Sequence, residues 1–462
     1  MAAFAATLRP DDCPPAVVDK AKAVLLHALF VGLASLRDTD VARALAVIAD
    51  EETGGPARLL GLGRPASRMM AAFHASLLFH ARGQDDSYRM LTHPGAAVLP
   101  AALAEGQRRP RDGSALLAAI IAGYEVQCRL AREIVPAVQN HGFRASAVFS
   151  AVGAAVAAGR MLELGPEEMA HAIALAVANA GGPLEPSRAG SREMTYQEPL
   201  FCLSGLLAAR LARAGATGAP TCLEGPAGFF FAFTGSAAGE LSGSFEGATR
   251  WDPASVAADL GRRWEILDVT MKIYSAAGFN QPVIEAVARL ARQYELVPER
   301  VEAIEIEMNP WETVYPSPRF PRLPPAAADF GSTPYFAAAA LAAKGYPATG
   351  RRLSYGGADP PLDMPALVAE LARRTRVIAA ARRQYAPRIT IRTVDGRSLT
   401  HEMTGEEFKW DFATERERLR ALEGALPLSP DGVEALIAAV ADLDVLPSVD
   451  SLVDLTLIQR GQ

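Results

Sequence analysis

The sequence lacks the features that mark several large classes of protein, starting with an excess of basic residues. Its 46 lysines and arginines are outnumbered by 52 aspartates and glutamates, for a net charge of −6. Such a chain offers no broadly basic surface, so we expect no nucleic-acid partner. Four cysteines occur without CxxC or Cys/His ligand spacing, so neither structural zinc nor a disulfide scaffold is expected. We predict that Cys13, Cys128, Cys202 and Cys222 are reduced core residues.

Motifs for nucleotide cofactors, serine hydrolases and zinc peptidases are also missing. No GxxxxGK[ST] is present, and the nearest approach to GxGxxG, GLGRPA at 61–66, lacks a surrounding βαβ pattern. The segment 239–247, GELSGSFEG, does not have the GxSxG spacing of a hydrolase. The histidines form no HExxH, and His74 and His80 are six residues apart, which does not place them on one helical face. We therefore expect neither a nucleotide cofactor nor a metal, which leaves acid/base chemistry by Asp, His, Lys, Tyr and Arg.

The sequence also shows no pattern that leads us to expect a leader or a membrane-spanning segment. Asp11 and Asp12 lie near the start, and no basic segment leads into an uninterrupted apolar run, so we expect no signal peptide. Apolar stretches such as 150–158 are too short to cross a bilayer. The expectation is a cytoplasmic protein without a membrane partner.

Small apolar residues, alanine above all, are what the sequence has in abundance. Half of its 462 residues are hydrophobic, whereas aromatic residues make up only 7%. A chain of this length is too long for one core and suggests two domains or three. Its composition favours closely spaced helices with small residues at their contacts.

Apolar residues recur at three- and four-residue intervals through the first half of the chain, which is the period of an amphipathic helix. This pattern predicts helices at about 15–36, 41–52, 67–82, 95–106, 113–133, 146–161, 166–180 and 199–214. Gly and Ala in 146–161 would let a neighbouring backbone approach closely. Because no convincing strand precedes residue 265, we predict an all-α domain over 1–266.

The pattern changes after Trp264. The segment VEAIEIEM at 301–308 alternates apolar and acidic residues, as a strand with one buried face does. Another strand at 388–393 leads through Asp395-Gly396, a strong hairpin signal, into a third at 398–403. Helical patterns at 280–294, 331–344 and 363–374 and Pro/Gly-rich loops at 309–328 and 346–361 complete this part.

These patterns predict a mostly α fold with a large all-helical domain and a smaller α+β lid domain. The lid would comprise 267–405, and 406–462, with helices at 411–423 and 430–442, would return to the helical domain. The two loops are long enough to reach a cleft between the domains and to move when it closes. The helical domain leaves more apolar face than one monomer covers, so a homodimer through that domain is expected.

One polar, titratable stretch interrupts the apolar sequence, GQDDSYRMLTHP at 83–94. Asp85 and Asp86 stand shortly before His93, which opens a Pro-Gly turn. Burying such groups without partners costs about 2–7 kcal/mol even when they are neutral, so they lie where water, substrate or each other can satisfy them. This favours a functional site, and the alternative is a helix cap with a satisfied loop histidine.

Lys272 is the other isolated ionisable group, at the junction between the two patterns. A lysine in an apolar setting between domains can have a lowered pKa or stabilise an oxyanion. The alternative is a surface lysine whose aliphatic stem lies along apolar neighbours.

Several segments in collinear order resemble the MmgE/PrpD family. They include PPAVVDKAKAVLLHALFVGLA near the start, DDSYRMLTHPG, GAAVAAGRMLELGPEEM, LEGPAGFF and KIYSAAGFNQPVIEA. The family contains 2-methylcitrate dehydratase, cis-aconitate decarboxylase and iminodisuccinate epimerase. The resemblance implies a large helical domain, a smaller α+β lid, a homodimer, and an active site between the domains without metal or organic cofactor.

The resemblance also implies a set of site residues. Asp86 matches the second aspartate of a DD-T motif and would lie in the catalytic cleft, with His93 of the HPG segment beside it. Lys272 matches the lysine of a K-x-Y-P segment, and Tyr274 follows it. The lid motif F-S-x-P-Y resembles the segment from Phe330 to Tyr335.

The sequence departs from the family pattern at several positions. Ser87 stands where the family usually has threonine, Arg144 and Gln197 where it has histidines, and Met194 where it has a lysine. Alanines at 276–277 replace a cysteine or histidine. Because an apolar Met194 cannot neutralise an anion, we expect a non-tricarboxylate substrate from specialised metabolism.

The sequence therefore predicts a lyase or isomerase that moves a proton next to a carbonyl, imine or carboxylate, in an elimination, isomerisation, epimerisation or cyclisation. Asp86 or His93 would be base and acid, and Lys272 with Tyr274 would hold developing negative charge. The candidate substrate-binding residues are Asp85, Ser87, His141, Arg144, Arg188, Met194, Gln197 and Tyr335. An inactive relative that binds a ligand or a partner is the alternative, because family groups are missing at 144, 194 and 277.

Overall fold

The computed structural model describes residues 1–51, 54–322, 331–349 and 364–458, and the chain divides into two compact units. The first unit comprises Met1–Pro183, Met194–Met271 and Trp410–Gln462, and the second comprises Leu184–Glu193 and Lys272–Lys409. The boundaries predicted from the sequence were 266 and 405. The grouping of Leu184–Glu193 with the second unit was not anticipated.

α-Helices build the first unit. They span Ala2–Thr7, Pro15–Ala34, Thr39–Glu51, Arg68–Ala81, Gly95–Gly106, Gly113–Ala131, Val135–Asn140, Ala145–Met161, Pro166–Val177, Met194–Arg213, Phe229–Thr234, Phe412–Leu419, Pro430–Ala441 and Val449–Asp454. The helix predicted to begin at 199 begins instead at Met194. Proline favours the first turn of a helix, but Pro199 lies inside this one and lacks the amide that would bond to the Thr195 carbonyl.

The helix Ala145–Met161 lies at the centre of this unit. Every residue in it except Arg160 is buried, and it packs against the helices Met194–Arg213, Gly113–Ala131 and Gly95–Gly106. Small residues make these contacts close. A Cβ built on Gly205 of Met194–Arg213 would lie only 2.2 Å from the Ala151 carbonyl oxygen.

The helix Gly113–Ala131 is long and apolar enough to cross a membrane by length and composition. In the structure, however, 89% of its apolar window is buried inside the protein. It packs against the helices Gly95–Gly106 and Ala145–Met161. This environment is that of a core helix.

The expectation of no strand before residue 265 is wrong at one place. The two-residue strands β1 (Ala57–Arg58) and β2 (Pro65–Ala66) pair antiparallel. Gly61 and Gly63 in the connection have φ values of +77° and +65°, which glycine adopts without steric cost. A ladder this short shows no period-two alternation in the sequence, so it was not predicted.

A four-stranded sheet organises the second unit. Its strands are β3 (Val301–Met308), β4 (Thr375–Ala379), β5 (Arg388–Thr393) and β6 (Ser398–Glu402), in the order β4-β3-β5-β6. β4 runs parallel to β3, and the other neighbours are antiparallel. The helices of this unit are Glu185–Ala189, Gln281–Gln293, Pro310–Thr313, Thr333–Ala343 and Ala366–Arg373.

The mostly α fold with a smaller α+β part is confirmed. β3 buries Ile304, Ile306 and Met308, as its alternation predicts, and β5 and β6 form the predicted hairpin with Gly396 at φ +83°. The predicted loop at 309–328 contains a helical turn at Pro310–Thr313 that Asn309 caps. Its remainder from 323 and most of the loop at 346–361 lie outside the described residues.

Candidate active site

The polar stretch at 83–94 is held by a short bridge and a tight turn. The amides of Ser87 and Thr270 each donate to the other's carbonyl oxygen at 2.8 Å, and Tyr88 and Thr92 pair in the same way across the turn. Arg89 and Met90 within this turn have φ values of +46° and +66°. Non-glycine residues in this conformation cost about 1–2 kcal/mol each, and such strain concentrates at functional sites.

Asp86 is 3% exposed and its carboxylate has two donors. The Tyr124 hydroxyl donates to one oxygen at 2.6 Å, and the Gly95 amide, at the start of the helix Gly95–Gly106, donates to the other at 3.0 Å. Burial raises the pKa of Asp86 to about 6, with Asp85 adding to the effect and both donors opposing it. Asp86 therefore changes its protonation state near neutral pH, and it also caps a helix.

Asp85 joins two histidines. Its Oδ2 lies 2.8 Å from Nδ1 of His80 and 3.4 Å from Nδ1 of His93. Nε2 of His80 lies 3.3 Å from Nη2 of Arg144, which can only donate. A neutral His80 that accepts from Arg144 at Nε2 carries its proton on Nδ1 and donates it to Asp85. The Asp85 carboxylate therefore accepts a hydrogen bond from the buried His80.

His93 is the accessible member of this group. Its side chain is 17% exposed, whereas those of His80 and Asp85 are 2% exposed. Its Nδ1 lies 2.9 Å from the Asp86 carbonyl oxygen, which can only accept, and its amide donates to Ser146 Oγ at 3.0 Å. These contacts place the proton on Nδ1, so in the neutral imidazole Nε2 is the basic nitrogen.

Arg144 forms a buried ion pair within the protein. Its Nη1 lies 2.5 Å from Glu198 Oε1 and 3.4 Å from Gln197 Oε1, and Ser150 Oγ donates to the second oxygen of Glu198. Burial works against the charge of Glu198, but Arg144, the two histidines His80 and His93 and the Ser150 hydroxyl together outweigh burial, and the pKa of Glu198 lies below its ordinary value. The positive charge of Arg144, which the sequence assigned to substrate, is thus balanced by Glu198.

The other candidates of the first unit are more dispersed. Ser87 is fully buried, and its hydroxyl donates to the Met90 carbonyl inside the turn. Met194 is 8% exposed at the start of its helix, and Gln197 also donates to the Pro183 carbonyl. His141 is exposed and its ring lies against Gly235, so no contact found in the described chain joins it to the Asp85 group.

Four candidates belong to the second unit. Lys272 is 3% exposed, and the Tyr274 hydroxyl donates to Glu285 at 2.8 Å. Tyr335 follows the helix cap Ser332, and burial raises the pKa of its hydroxyl although a hydrogen bond with Tyr346 opposes this. Arg188 pairs with Glu185 one helical turn away. Phe330 of the lid motif lies outside the described residues.

Three residues of the cluster were not predicted from the sequence. His80 was considered only as a metal ligand, Tyr124 lay within the predicted helix at 113–133 without being singled out, and Glu198 was not considered. Tyr124 and Glu125 are adjacent polar residues in an apolar helix, and this interruption of the apolar pattern could have marked Tyr124 as a candidate. Partners that come from three separate helices cannot be paired by spacing alone.

The described parts of the chain contain no group of three His, Cys, Asp or Glu side chains arranged to hold a metal ion. All four cysteines are free. Cys128 and Cys202 are buried as predicted, but Cys13 and Cys222 are only half-buried, so their assignment to the core is wrong. Their neighbours in sequence, prolines and polar residues, belong to turns and a helix start at the surface.

Comparison with known proteins identifies the family. The chain is 25% identical to the cis-aconitate decarboxylase-like protein oryM of Aspergillus oryzae, over 62% of this chain and 60% of that protein. It is 27% identical to a cis-aconitate decarboxylase of Aspergillus terreus over 63% and 59%, and 33% identical to that of Homo sapiens over 36% of each chain. The matches thus span about 60% of the length of the fungal relatives. The family model for the MmgE/PrpD N-terminal domain matches residues 1–241, more than half of the chain, and the protein therefore belongs to the MmgE/PrpD family.

Proposed function

We propose that the protein is a cofactor-independent lyase or isomerase that moves a proton at a carbon next to a carbonyl, imine or carboxylate. The observation that carries this proposal is the Asp85–His93 pair, in which Nδ1 of His93 is fixed by the Asp86 carbonyl and Nε2 is the basic nitrogen. A histidine oriented in this way is a general base and, once protonated, a general acid. The cis-aconitate decarboxylase relatives support a lyase.

His93 and Asp86 divide the acid–base work in this proposal. His93 is the exposed member of the cluster, so it takes the proton from substrate carbon, and Asp85 stabilises the imidazolium that forms. Asp86, with a pKa of about 6, is present in both protonation states near neutral pH and is the second proton-transfer group. Each such group typically contributes a factor of about 10²–10⁴ in rate.

Lys272 and Tyr274 are proposed to hold the negative charge that develops on substrate oxygen. This assignment rests on the resemblance of KIY at 272–274 to the family segment and on the chemistry of an ammonium and a phenol. Tyr335, from its position in the lid motif, and Arg188, from the charge of its guanidinium, are proposed as further substrate contacts.

We propose that the substrate carries fewer carboxylates than a tricarboxylic acid. Met194 supplies no charge, and the charge of Arg144 is already balanced by Glu198 at 2.5 Å. A third carboxylate would then lack a partner, and an unpaired charge in a desolvated site is costly. Elimination, epimerisation and cyclisation all begin with the same proton removal.

Deuterium exchange tests this function before the substrate is known. The protein is incubated in D2O with cis-aconitate and with a panel of mono- and dicarboxylic acids that carry a C–H next to a carbonyl, and loss of the C–H signal is followed by proton NMR. We expect exchange or turnover of at least one mono- or dicarboxylic acid, faster than of cis-aconitate. His93→Asn and Asp86→Asn should each lower the rate by about 10²–10⁴-fold, and Lys272→Ala should lower turnover.

His401→Gln is the matched control, because His401 lies on β6 in the second unit and its ring contacts Arg289. Its rate should equal that of the wild type. Full activity in both His93→Asn and Asp86→Asn would refute the assignment. Ligand binding detected by calorimetry, without exchange of any acid, would instead support a ligand-binding relative. Faster reaction of cis-aconitate than of every smaller acid would refute the substrate proposal.

A further inference from the structure

His27, a histidine that the proposed mechanism does not use, contacts the backbone next to Asp85 and Asp86. It lies in the helix Pro15–Ala34 and is 1% exposed. Its Nδ1 is 2.7 Å from Oε1 of Glu415, and its Nε2 is 2.6 Å from the backbone carbonyl oxygen of Gln84. Gln84 immediately precedes Asp85 and Asp86.

Both ring nitrogens of His27 therefore face oxygen acceptors. A carbonyl oxygen can only accept, so Nε2 carries a proton. When Glu415 is ionised it can also only accept, and then Nδ1 carries a proton as well and the ring is an imidazolium. Burial lowers the pKa of His27, but the Glu415 carboxylate, the Gln84 carbonyl and the charge of Asp86 together outweigh burial, and the pKa lies above its ordinary value.

The charges around His27 come from two segments besides its own helix. Glu415 lies in the helix Phe412–Leu419, and Asp86 is close enough for its charge to raise the pKa of His27. The same attraction lowers the pKa of Asp86, against the larger effect of burial. Lys20 on the helix of His27 donates to the Trp410 carbonyl. Two further groups act on Asp86: the charge of Asp85 raises its pKa, and the hydrogen bond from the Tyr124 hydroxyl lowers it.

We propose that His27 is a positioning residue for Asp85 and Asp86: as an imidazolium paired with Glu415, it holds the Gln84 carbonyl and favours the ionised form of Asp86. The catalytic meaning of this role rests on the proposed function. The imidazole of His27 thereby joins the helix Phe412–Leu419 to the polar stretch at 83–94. A neutral residue at position 27 would leave Asp86 more fully protonated at neutral pH.

Nuclear magnetic resonance of the full chain tests the proposal without any substrate, so its failure is distinguishable from failure of the proposed function. With ¹⁵N-labelled histidine, we expect His27 to show two bonded ring protons at pH 7. His74 is an internal contrast, because it is buried without a hydrogen-bond partner in the described chain and burial lowers its pKa to about 4. It should show a single ring proton at the same pH. A neutral His27 at pH 7 would overturn the proposal.

Titration of Asp86, observed through ¹³Cγ-labelled aspartate and assigned with Asp86→Asn, gives the second readout. His27→Gln keeps a donor for the Gln84 carbonyl but removes the charge, and His27→Leu removes both. We expect the Asp86 midpoint to move upward in both variants. Asp19→Ala is the control, since Asp19 lies on the same helix and accepts from the Phe412 amide at 2.9 Å without contacting Gln84. An unchanged midpoint in folded His27→Gln, or an equal upward shift in Asp19→Ala, would overturn the proposal.

Discussion

At the scale of single residues, Asp86 is a group that destabilises the fold at neutral pH. Its pKa is raised from 3.8 to about 6, mainly by burial. Between these values the unfolded chain releases a proton that the folded chain keeps, so stability falls as pH rises, and the loss is nearly complete by about pH 7. At 1.36 kcal/mol for each pKa unit, the loss is on the order of 3 kcal/mol.

Asp86→Asn removes this ionisation. We therefore expect its free energy of unfolding, relative to the wild type, to rise by about 2 kcal/mol between pH 4 and pH 7. Urea unfolding followed by circular dichroism across this range measures the difference. Tyr124→Phe is the contrast, because it removes a hydrogen bond that lowers the pKa of Asp86, and the stability loss should extend to higher pH. A difference between Asp86→Asn and wild type that is independent of pH would contradict this account.

The ion pair of Arg144 and Glu198 makes a second residue-scale prediction. Both side chains are buried, so Glu198→Gln leaves a guanidinium without its balancing charge. Breaking a buried pair in this way costs about 3–5 kcal/mol. We expect a loss of stability of that size in urea unfolding at pH 7.

The double variant Arg144→Met with Glu198→Met separates the pair from other effects. Because it removes both charges, its loss of stability should be less than the sum of the losses in the single variants Arg144→Met and Glu198→Met. Additive losses would mean that Arg144 and Glu198 act independently. Arg144 would then be available for a substrate carboxylate, as the sequence first suggested.

Single residues were predictable where chemistry alone marks them. Asp85, Asp86 and His93 were recognised because they interrupt apolar sequence, and the structure brings Asp85 and His93 within 3.4 Å. The partner of Arg144 could not be found in this way, since Glu198 is remote in sequence and its pairing depends on how two helices pack. His27 lay within the predicted helix at 15–36 and was not singled out, because its partners Glu415 and Gln84 are remote from it in sequence.

At the scale of elements, the close packing of the helices Met194–Arg213 and Ala145–Met161 depends on Gly205. A Cβ at this position would lie 2.2 Å from the Ala151 carbonyl oxygen and 2.7 Å from the Ala154 Cβ. Backbone atoms cannot move aside as a flexible side chain can, so the helices would have to separate. Gly205→Ala should therefore cost about 1–3 kcal/mol, although alanine is the better helix former by about 1 kcal/mol.

Gly424→Ala is the matched control for this prediction. It lies in the 3-10 segment Arg420–Ala425, and a Cβ there meets no atom within 4 Å. Thermal unfolding of both variants should show a lower midpoint for Gly205→Ala and little change for Gly424→Ala. An unchanged midpoint for Gly205→Ala would mean that the contact between the two helices is looser than the structure shows.

Long periodic elements were predicted closely, and short ones were not. The helix at 95–106 and the strand at 301–308 have the predicted bounds. Strand β4 was missed because its residues are half-buried or exposed along its whole length and give no alternation. The helices Val135–Asn140 and Glu185–Ala189 were missed because one and a half turns are too few to show a helical period.

At the scale of the whole molecule, composition was informative because it acts on every element at once. A chain rich in alanine buries little area per residue, so its helices gain stability by approaching closely rather than by large side chains. The fully buried helix Ala145–Met161 shows this arrangement. Large apolar side chains that remain exposed on such a protein therefore indicate a surface that contacts another molecule.

Three leucines form such an exposed stripe on the helix Met194–Arg213. Leu200, Leu207 and Leu211 are 56%, 47% and 42% exposed, and their spacing places them on one face. We expect this face to contact its own copy in a two-fold homodimer, because an isologous contact buries the same stripe on both subunits.

Light scattering at micromolar concentration should give twice the chain mass of 48.9 kDa for the wild type. The triple change Leu200→Gln, Leu207→Gln and Leu211→Gln should give the monomer mass with an unchanged circular dichroism spectrum. A monomeric wild type would refute the dimer, and a dimeric triple variant would place its interface on another face.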